Sequence, residues 1–270
     1  MSVQSQAGTV VSLHRYPVKS MMGESLNSTE VGQKGLQHDR AFALGDPATG
    51  KVVSAKNPGK WPSLFAFRAA LARSGDGNTA VEITLPDGRI IFSTDPNLES
   101  ILTEALGRPV TLLTSSPDGA KLEEYWPNME ELANRDVITE EPLPQGTFFD
   151  CATVHLLTTA TLEALRSLYP AGRFEPRRFR PNLIVATPPE ATGFAESAWI
   201  GHTVSLGPEV QLKITGPCPR CVMTTLAQDD LPRDPLVLKT AAKHNQAHVG
   251  VYASVVRAGV IHRGDAVRVE

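Results

Sequence analysis

Short apolar segments divided by Gly, Pro and Asn run along most of this chain, and this pattern limits what it can fold into. The 270 residues include 21 Gly and 21 Pro, residues that start turns and interrupt helices. A helical bundle is therefore not expected, and many short strands joined by turns are. We predict a mainly β (α+β) fold of two β-barrel-like domains with a few decorating helices.

Length and charge place the chain among ordinary globular proteins. At roughly 100–200 residues per domain, its length corresponds to one or two domains. The net charge of −3 gives no overall positive field, so we expect no nucleic-acid partner. The apolar runs are shorter than the ~18–20 residues that cross a bilayer, and the first residues show no leader pattern. We therefore expect a cytoplasmic protein that does not contact membranes.

Turn and cap residues predict several local elements. Segments 80–85 and 89–93 flank an Asp-Gly pair and predict a hairpin, because Asp-Gly suits a tight turn that needs positive φ. The pattern at 95–107 predicts a helix capped by Asp95 and ended by Gly107. Further predicted elements are helices at 158–169 and 236–245 and a strand at 222–226, where β-branched residues are frequent.

The stretch 115–146 is rich in glutamate and contains four prolines without sustained periodicity. These properties predict a linker or a long surface excursion. We therefore expect an N-terminal domain over 1–118, a linker or excursion over 119–146 and a second domain over 147–270.

The sharpest local feature is Gly-Pro-Cys-Pro-Arg-Cys at 216–221. A redox dithiol requires a helix beginning at the first thiolate, and the strand predicted after the motif argues against it. Zinc bound by Cys218, Cys221, His244 and His248 would need a cysteine–histidine gap longer than the ~12–15 residues of finger-type sites. The third option is one thiolate binding a soft metal that a cofactor brings, with the other cysteine structural.

Cationic residues cluster where strands are expected to begin. The arginines of 177–180 precede a predicted strand, and Lys19 and Arg40 follow other turns. A cofactor that carries a metal usually carries phosphate too, and the planar fork of arginine binds phosphate directionally. Arg220 is expected to favour the thiolate of the neighbouring Cys221. Two further candidates, His155 and Cys151, are interpreted as core residues.

Four motifs then occur in a fixed order, and together they resemble a known family. They are Tyr-Pro-Val-Lys-Ser at 16–20, Gly-Leu-Gln-His-Asp-Arg at 35–40, Phe-Arg-Pro-Asn at 179–182 and Cys-Pro-Arg-Cys at 218–221. The chain resembles MOSC-domain proteins that carry the MOSC N-terminal β-barrel. The resemblance extends over nearly the whole chain and is greatest to the branch with the mitochondrial amidoxime-reducing components and their bacterial relatives.

The resemblance implies a molybdenum-cofactor-dependent reductase of N-hydroxylated substrates such as amidoximes, hydroxylamines and N-hydroxylated bases. It implies that Cys221 is the molybdenum ligand and the catalytic residue, and that electrons come from a separate flavoprotein or iron–sulfur protein. The alternative is a molybdenum-cofactor carrier or a sulfur-transfer protein that uses a Cys221 persulfide. The cofactor-binding residues implied by the resemblance are Lys19, Ser20, Arg40, Arg180, Asn182 and Arg220.

Overall fold

The structure, a computed structural model, describes residues 6–73 and 79–270. The first five residues, which the sequence interpretation took to show no leader pattern, lie outside the described part. With 39% of residues in strands and 17% in helices, the prediction of a mainly β fold is confirmed. Among the described residues, no helix is both long enough and apolar enough to cross a bilayer.

The elements are numbered here in chain order. The strands of the first half are β1 (Gln6–Arg15), β2 (Glu24–Leu26), β3 (Ser28–Gly32), β4 (Gly35–Leu36), β5 (Ala43–Asp46), β6 (Lys51–Val52), β7 (Arg68–Arg73), β8 (Thr79–Thr84), β9 (Ile90–Phe92) and β10 (Thr111–Leu113). The later strands are β11 (Lys121–Trp126), β12 (Val137–Pro142), β13 (Val154–Thr158), β14 (Leu183–Ala186), β15 (Thr203–Leu206), β16 (Val210–Pro219), β17 (His248–Arg257), β18 (Gly259–His262) and β19 (Ala266–Val269). The α-helices of the described residues are α1 (Leu98–Leu106), α2 (Thr159–Leu168) and α3 (Pro235–Asn245), and the 3-10 helices are Leu64–Ala66, Pro176–Arg178, Ala195–Trp199 and Val222–Thr225.

Seven strands close into a barrel in the order β14-β13-β17-β16-β15-β19-β1, and β1 returns to pair with β14. Strand β1 therefore lies between β14 and β19, antiparallel to both, although it comes from the other end of the chain. Apolar side chains fill the barrel, and Leu13 of β1 is fully buried among them. Closure removes the unpaired edges that open sheets expose, so the barrel needs both ends of the chain. The domain ranges 1–118, 119–146 and 147–270 stay a prediction.

A second hydrophobic core lies in the N-terminal half. It is built from the sheets β7-β8-β9 and β10-β5-β6 and from the apolar face of α1. Met223, which follows Cys221 by two positions, is buried in this core, and Cys221 and Leu226 pack against it, although the preceding strand β16 belongs to the barrel. The segment after the cysteine motif thus joins the two cores.

The predicted hairpin and helix are found with one correction. Strands β8 and β9 pair antiparallel around the Asp-Gly turn, and Gly107 ends α1 in the left-handed region with φ 67°, as predicted. The cap was wrong, because α1 begins at Leu98 after Asn97. The Asp95 carboxylate instead accepts a hydrogen bond from the Asn97 backbone N–H at 2.8 Å, which makes a turn before the helix. Helices α2 and α3 confirm the other two helix predictions.

The strand predicted at 222–226 was wrong, because the structure has the 3-10 helix Val222–Thr225 there. Two of its three β-branched residues are threonines, and their hydroxyls donate to carbonyls three positions earlier in the chain. Thr224 Oγ1 donates to the Cys221 carbonyl at 3.0 Å, and Thr225 Oγ1 donates to the Val222 carbonyl at 2.7 Å. Such local side-chain bonds compete with sheet pairing and favour a turn.

The acidic stretch predicted as a linker or surface excursion contains an antiparallel hairpin of β11 and β12. Lysines from the N-terminal half hold its glutamates. Lys51 lies 3.0 Å from Glu123, and Lys56 lies 2.9 Å from Glu124. These ion pairs join residues about seventy positions apart, and a local reading of periodicity does not detect them.

Candidate functional site

A cavity of about 360 Å³ opens where the N-terminal half, the β11–β12 hairpin and the barrel meet. Side chains from all three regions line it, so it exists only in the folded whole. The structure brings together here every site residue that the family resemblance implied: Lys19, Ser20, Arg40, Arg180, Asn182, Arg220 and Cys221.

Three of these residues have left-handed backbones. The φ angles are 66° for Ser20, 48° for Arg40 and 53° for Arg180. Non-glycine residues adopt this region rarely and at a cost of order 1–3 kcal/mol each, and such residues concentrate at functional sites. The rest of the fold therefore holds these three side chains at the cavity against a local backbone preference.

Lys19 and Asp150 form a buried ion pair at one wall. Lys19 Nζ donates to Asp150 Oδ1 at 2.5 Å and to the Phe148 carbonyl at 2.7 Å, which leaves one of its three protons free. Burial alone would raise the pKa of Asp150, but the charges of Lys19 and Lys56 hold that pKa well below its usual range. Burial lowers the pKa of Lys19, and Asp150 opposes this shift. The negative charge of Asp150 thus offsets the positive charges of Lys19 and Lys56 in this wall of the cavity.

Arg40 and Arg180 meet at the ring of Tyr16. Their guanidinium carbons lie 4.5 Å and 4.2 Å from the ring centroid, within cation–π distance. Burial lowers the pKa of Arg180 to about 10, and the nearby charge of Arg40 adds to the effect. Arg40 is paired with the buried carboxylate of Asp39, and a further anion in the cavity would offset the positive charge that remains.

Arg220 points toward Cys218 rather than Cys221. Its Nη1 lies 2.8 Å from Cys218 Sγ, and its Nη2 donates to the Phe179 carbonyl at 2.9 Å. The Nε of Arg220 is buried without a hydrogen-bond partner within residues 6–73 and 79–270. Cys218 is fully buried and does not line the cavity, as expected for a structural cysteine.

The charge of Arg220 lowers the pKa of Cys221, in the direction expected from the sequence, but burial has the larger effect. Burial raises the pKa of Cys221 to about 11, and the positive charges of Lys56 and Arg220 only partly oppose the shift. Desolvation exceeds the charge effect because the thiol is shielded from water. Burial thus opposes ionisation of Cys221, and a metal ion that binds there would displace the thiol proton.

Asn182 ties the two halves together at the cavity. Its Oδ1 accepts from the His155 backbone N–H at 3.0 Å, and its Nδ2 donates to Asp39 Oδ2 at 2.9 Å and to the His14 carbonyl at 3.3 Å. Both amide protons are thus in use, and one acceptor lone pair remains for another group.

His155 is a buried, hydrogen-bonded histidine, as predicted, and it also lines the cavity. Its Nε2 lies 3.1 Å from the Val249 carbonyl, and burial lowers its pKa to about 3. A Cβ on Gly250, whose φ is 81°, would lie 2.3 Å from this nitrogen, so only glycine fits beside the ring.

Cys151, interpreted as a core residue, is exposed and lines the cavity. The buried strand begins at Val154, so Cys151 lies in the bend before it. The prediction was wrong because Cys151 precedes β13, and the burial of the strand residues does not extend to the residues before the strand.

Sequence reasoning missed several residues of the cavity. Asp150 had one weak signal, since it is an acidic residue after two phenylalanines and just before a buried strand. No signal marked Lys56, which lies in a turn between two short strands. Others missed are Glu124, Trp126, Glu141 and Tyr252.

The zinc alternative gains no support from the geometry. His244 is exposed on α3, whereas His248 begins β17. Within the described part of the chain, no group of three or more His, Cys, Asp or Glu side chains is placed to hold a metal ion.

Comparison with known families agrees with this architecture. The family model of the MOSC N-terminal beta barrel domain matches residues 7–121, and that of the MOSC domain matches residues 144–268. The chain therefore belongs to the MOSC-domain proteins with an N-terminal MOSC barrel domain.

Curated relatives are similar at low identity. Mitochondrial amidoxime-reducing component 1 of Mus musculus is 26% identical over 83% of this chain and 67% of its own length. Mitochondrial amidoxime reducing component 2 of Bos taurus is 27% identical over 83% and 68%. A molybdenum cofactor sulfurase of Oryza sativa subsp. japonica is 23% identical over 79% of this chain but only 28% of its own length. Among solved structures, the YUAD protein from Bacillus subtilis aligns over 100% of this chain and 98% of its own, with 12% identity and a TM-score of 0.49.

Proposed function

We propose that this protein binds molybdenum cofactor in the cavity and reduces N-hydroxylated substrates such as amidoximes, hydroxylamines and N-hydroxylated bases. The observation that carries the proposal is the meeting of one soft ligand, Cys221, with five buried or half-buried cations in one cavity. Relatives named for amidoxime reduction and for molybdenum cofactor support the same assignment.

The donor set fits the cofactor. Arg220 has a buried Nε with no partner in the described part, and Lys19, Arg40 and Arg180 have protons left over from their protein contacts. Phosphate takes several such donors at once, and a thiolate is a preferred ligand of a soft metal. Lys19, Ser20, Arg40, Arg180, Asn182 and Arg220 would hold the cofactor, and Cys221 would bind its metal.

When bound, the cofactor supplies a metal centre that can exchange two electrons with a substrate. The chain would hold the cofactor in place and supply the charges that balance it. The cationic walls neutralise the anionic cofactor, and Asp150 balances Lys19 and Lys56 at the entrance. Cys221 must lose its proton when it binds the metal, because only the thiolate is a ligand. Cys151, exposed at the rim, is not needed for this arrangement.

We also propose a separate electron donor, a flavoprotein or an iron–sulfur protein. The 270 residues contain three cysteines, too few to hold a cysteine-ligated cluster in addition to the proposed metal ligand. The sequence also has no glycine fingerprint of a dinucleotide site.

The test uses protein produced in a host that makes molybdenum cofactor. We expect molybdenum and pterin to copurify with it, and we expect reduction of a hydroxylamine or an amidoxime with reduced viologen but none with NADPH alone. Molybdenum without turnover on N-hydroxylated, S-oxide and N-oxide compounds would favour the cofactor-carrier or Cys221 persulfide role. Zinc in place of molybdenum would exclude both assignments.

A further inference from the structure

The β11–β12 hairpin forms one wall at the mouth of the cavity. Alternate side chains of a strand point to the same face, and Glu124 pairs directly with Thr139 in the register of the two strands. Glu124, Trp126, Thr139 and Glu141 therefore share a face, and Glu124, Trp126 and Glu141 line the cavity. The hairpin brings carboxylates and an indole to a site whose other walls are cationic.

Among the glutamates of strands β11 and β12, Glu141 is the one that forms no ion pair within the described residues. Glu123 is paired with Lys51 and Lys60, Glu124 with Lys56, and Glu140 with Lys51 and Lys121. Across residues 6–73 and 79–270, no Lys, Arg or His lies within 4.0 Å of the Glu141 carboxylate. The charge of Glu141 is thus available to a ligand in the cavity.

A short chain of hydrogen bonds orients this carboxylate. Trp126 Nε1 donates to Thr139 Oγ1 at 2.9 Å, and Thr139 Oγ1 donates to Glu141 Oε1 at 2.7 Å. One carboxylate oxygen is held in place, while Oε2 has no hydrogen bond within the described residues. Trp126 is half-buried, so part of its indole faces the cavity beside the carboxylate.

We propose that Glu141 and Trp126 form a subsite for a flat nitrogen cation of the amidinium or guanidinium type. This subsite rests on the proposed function and narrows its substrates to N-hydroxylated bases that carry such a cation. A carboxylate accepts paired N–H donors from a planar cation with good directionality, and an indole attracts the same cation to its face. A neutral N-hydroxylated compound makes neither interaction at full strength.

The arginines of the cavity do not contradict a cationic ligand. They are opposed by an anionic cofactor in the loaded protein, whereas Glu141 remains uncompensated. The preference for cations is therefore a property of the loaded protein, and the test is made with cofactor bound.

The probes are benzamidinium and benzamide, which have nearly the same shape but differ in charge. Binding to the loaded protein is measured by calorimetry and by indole fluorescence, without any reduction step. Because a hydrogen bond between a cation and a carboxylate is stronger than a neutral one, we expect benzamidinium to bind about tenfold tighter or more than benzamide. We expect Glu141→Gln to remove most of this preference. The control Glu140→Gln, on the opposite face of the same strand, should retain it.

Kinetics give a second measurement. With reduced viologen, Glu141→Gln should raise KM for a cationic N-hydroxyguanidine several-fold while leaving KM for a neutral hydroxamic acid unchanged. Trp126→Phe keeps an aromatic ring but removes the donor to Thr139, and we expect an intermediate loss for the cation. Thermal unfolding of each variant shows whether it is folded.

The outcomes separate the subsite from the proposed function. Equal binding of the two probes by the wild-type protein, or equal losses in Glu141→Gln and Glu140→Gln, overturns the subsite even if N-hydroxylated compounds are reduced. A cation preference that depends on Glu141 supports the subsite, and a lack of turnover in the same protein then counts against the reductase function alone.

Discussion

At the scale of single residues, the two motif cysteines have opposite surroundings. Cys218 is fully buried beside Arg220 and outside the cavity, whereas Cys221 lines it. A Cys-x-x-Cys pair in which only one sulfur reaches the cavity is suited to a single metal bond. The two residues should therefore respond differently to the same substitution.

We expect Cys221→Ser to lose bound molybdenum and activity, because a hydroxyl is a poor ligand for a soft metal. Cys218→Ser should keep most of both, since its sulfur does not face the cavity. Molybdenum per chain, measured by elemental analysis on protein from the same host, tests this. Equal losses in the two variants would instead indicate a site that uses both cysteines.

At the scale of elements, the segment after Cys221 is held by one buried arginine. Arg178 closes the 3-10 helix Pro176–Arg178 and is fully buried. Its guanidinium donates to the carbonyls of Arg173, Thr224, Leu226 and Pro232 at 2.8–3.2 Å. The arginine thereby fixes the turn in which Cys221 is the first residue.

We expect Arg178→Leu to destabilise the fold by more than about 3 kcal/mol, because several buried carbonyls lose their donors at about 1–3 kcal/mol each. The neighbouring Arg177 forms partly exposed ion pairs with Glu175 and Asp230, which contribute little. Arg177→Leu is therefore the matched control. Urea unfolding measures the free energy of unfolding of both variants. Similar losses of stability in the two would contradict the role given to Arg178.

At the scale of the whole molecule, the barrel is closed by a strand from the opposite end of the chain. Strand β1 pairs with β19 through Gln6–Arg268 and Gly8–Val267 and with β14 through Leu13–Leu183. Without β1, both β14 and β19 would present unpaired backbone groups. Residues 144–268, which the MOSC domain model matches, therefore contain six of the seven barrel strands, and the seventh, β1, comes from the N-terminal region.

A fragment of residues 144–270 should accordingly fail to form a protected barrel. The end of β19 lies beside the start of β1, so adding residues 6–16 after Glu270 through a short Gly-containing turn restores the missing strand as a hairpin. We expect slow amide hydrogen exchange in the strands of the extended fragment and rapid exchange in the shorter one. Equal protection in both fragments would show that β1 is not needed for closure.

Local features of this protein were predictable because they depend on neighbouring residues. The Asp-Gly turn between β8 and β9 and the end of α1 at Gly107 follow from the backbone angles that glycine permits. The order of four motifs identified seven residues that converge on the cavity, although nothing in their local spacing requires them to meet. The threonines after Cys221 misled the prediction, because their hydroxyls bond locally to carbonyls instead of favouring a strand.

The sequence by itself therefore determined the mainly β class, most local turns and helices, and through its motifs seven of the residues that line the cavity. Only the tertiary structure decided that β1 closes the barrel, that Lys56 and Asp150 stand beside Cys221, and that the β11–β12 hairpin forms the cavity wall. These pairings join positions from opposite parts of the chain, and they depend on strand closure and on buried charges finding partners. The raised pKa of Cys221 has the same origin, because burial is a property of the packed whole and outweighs the charge of the adjacent Arg220.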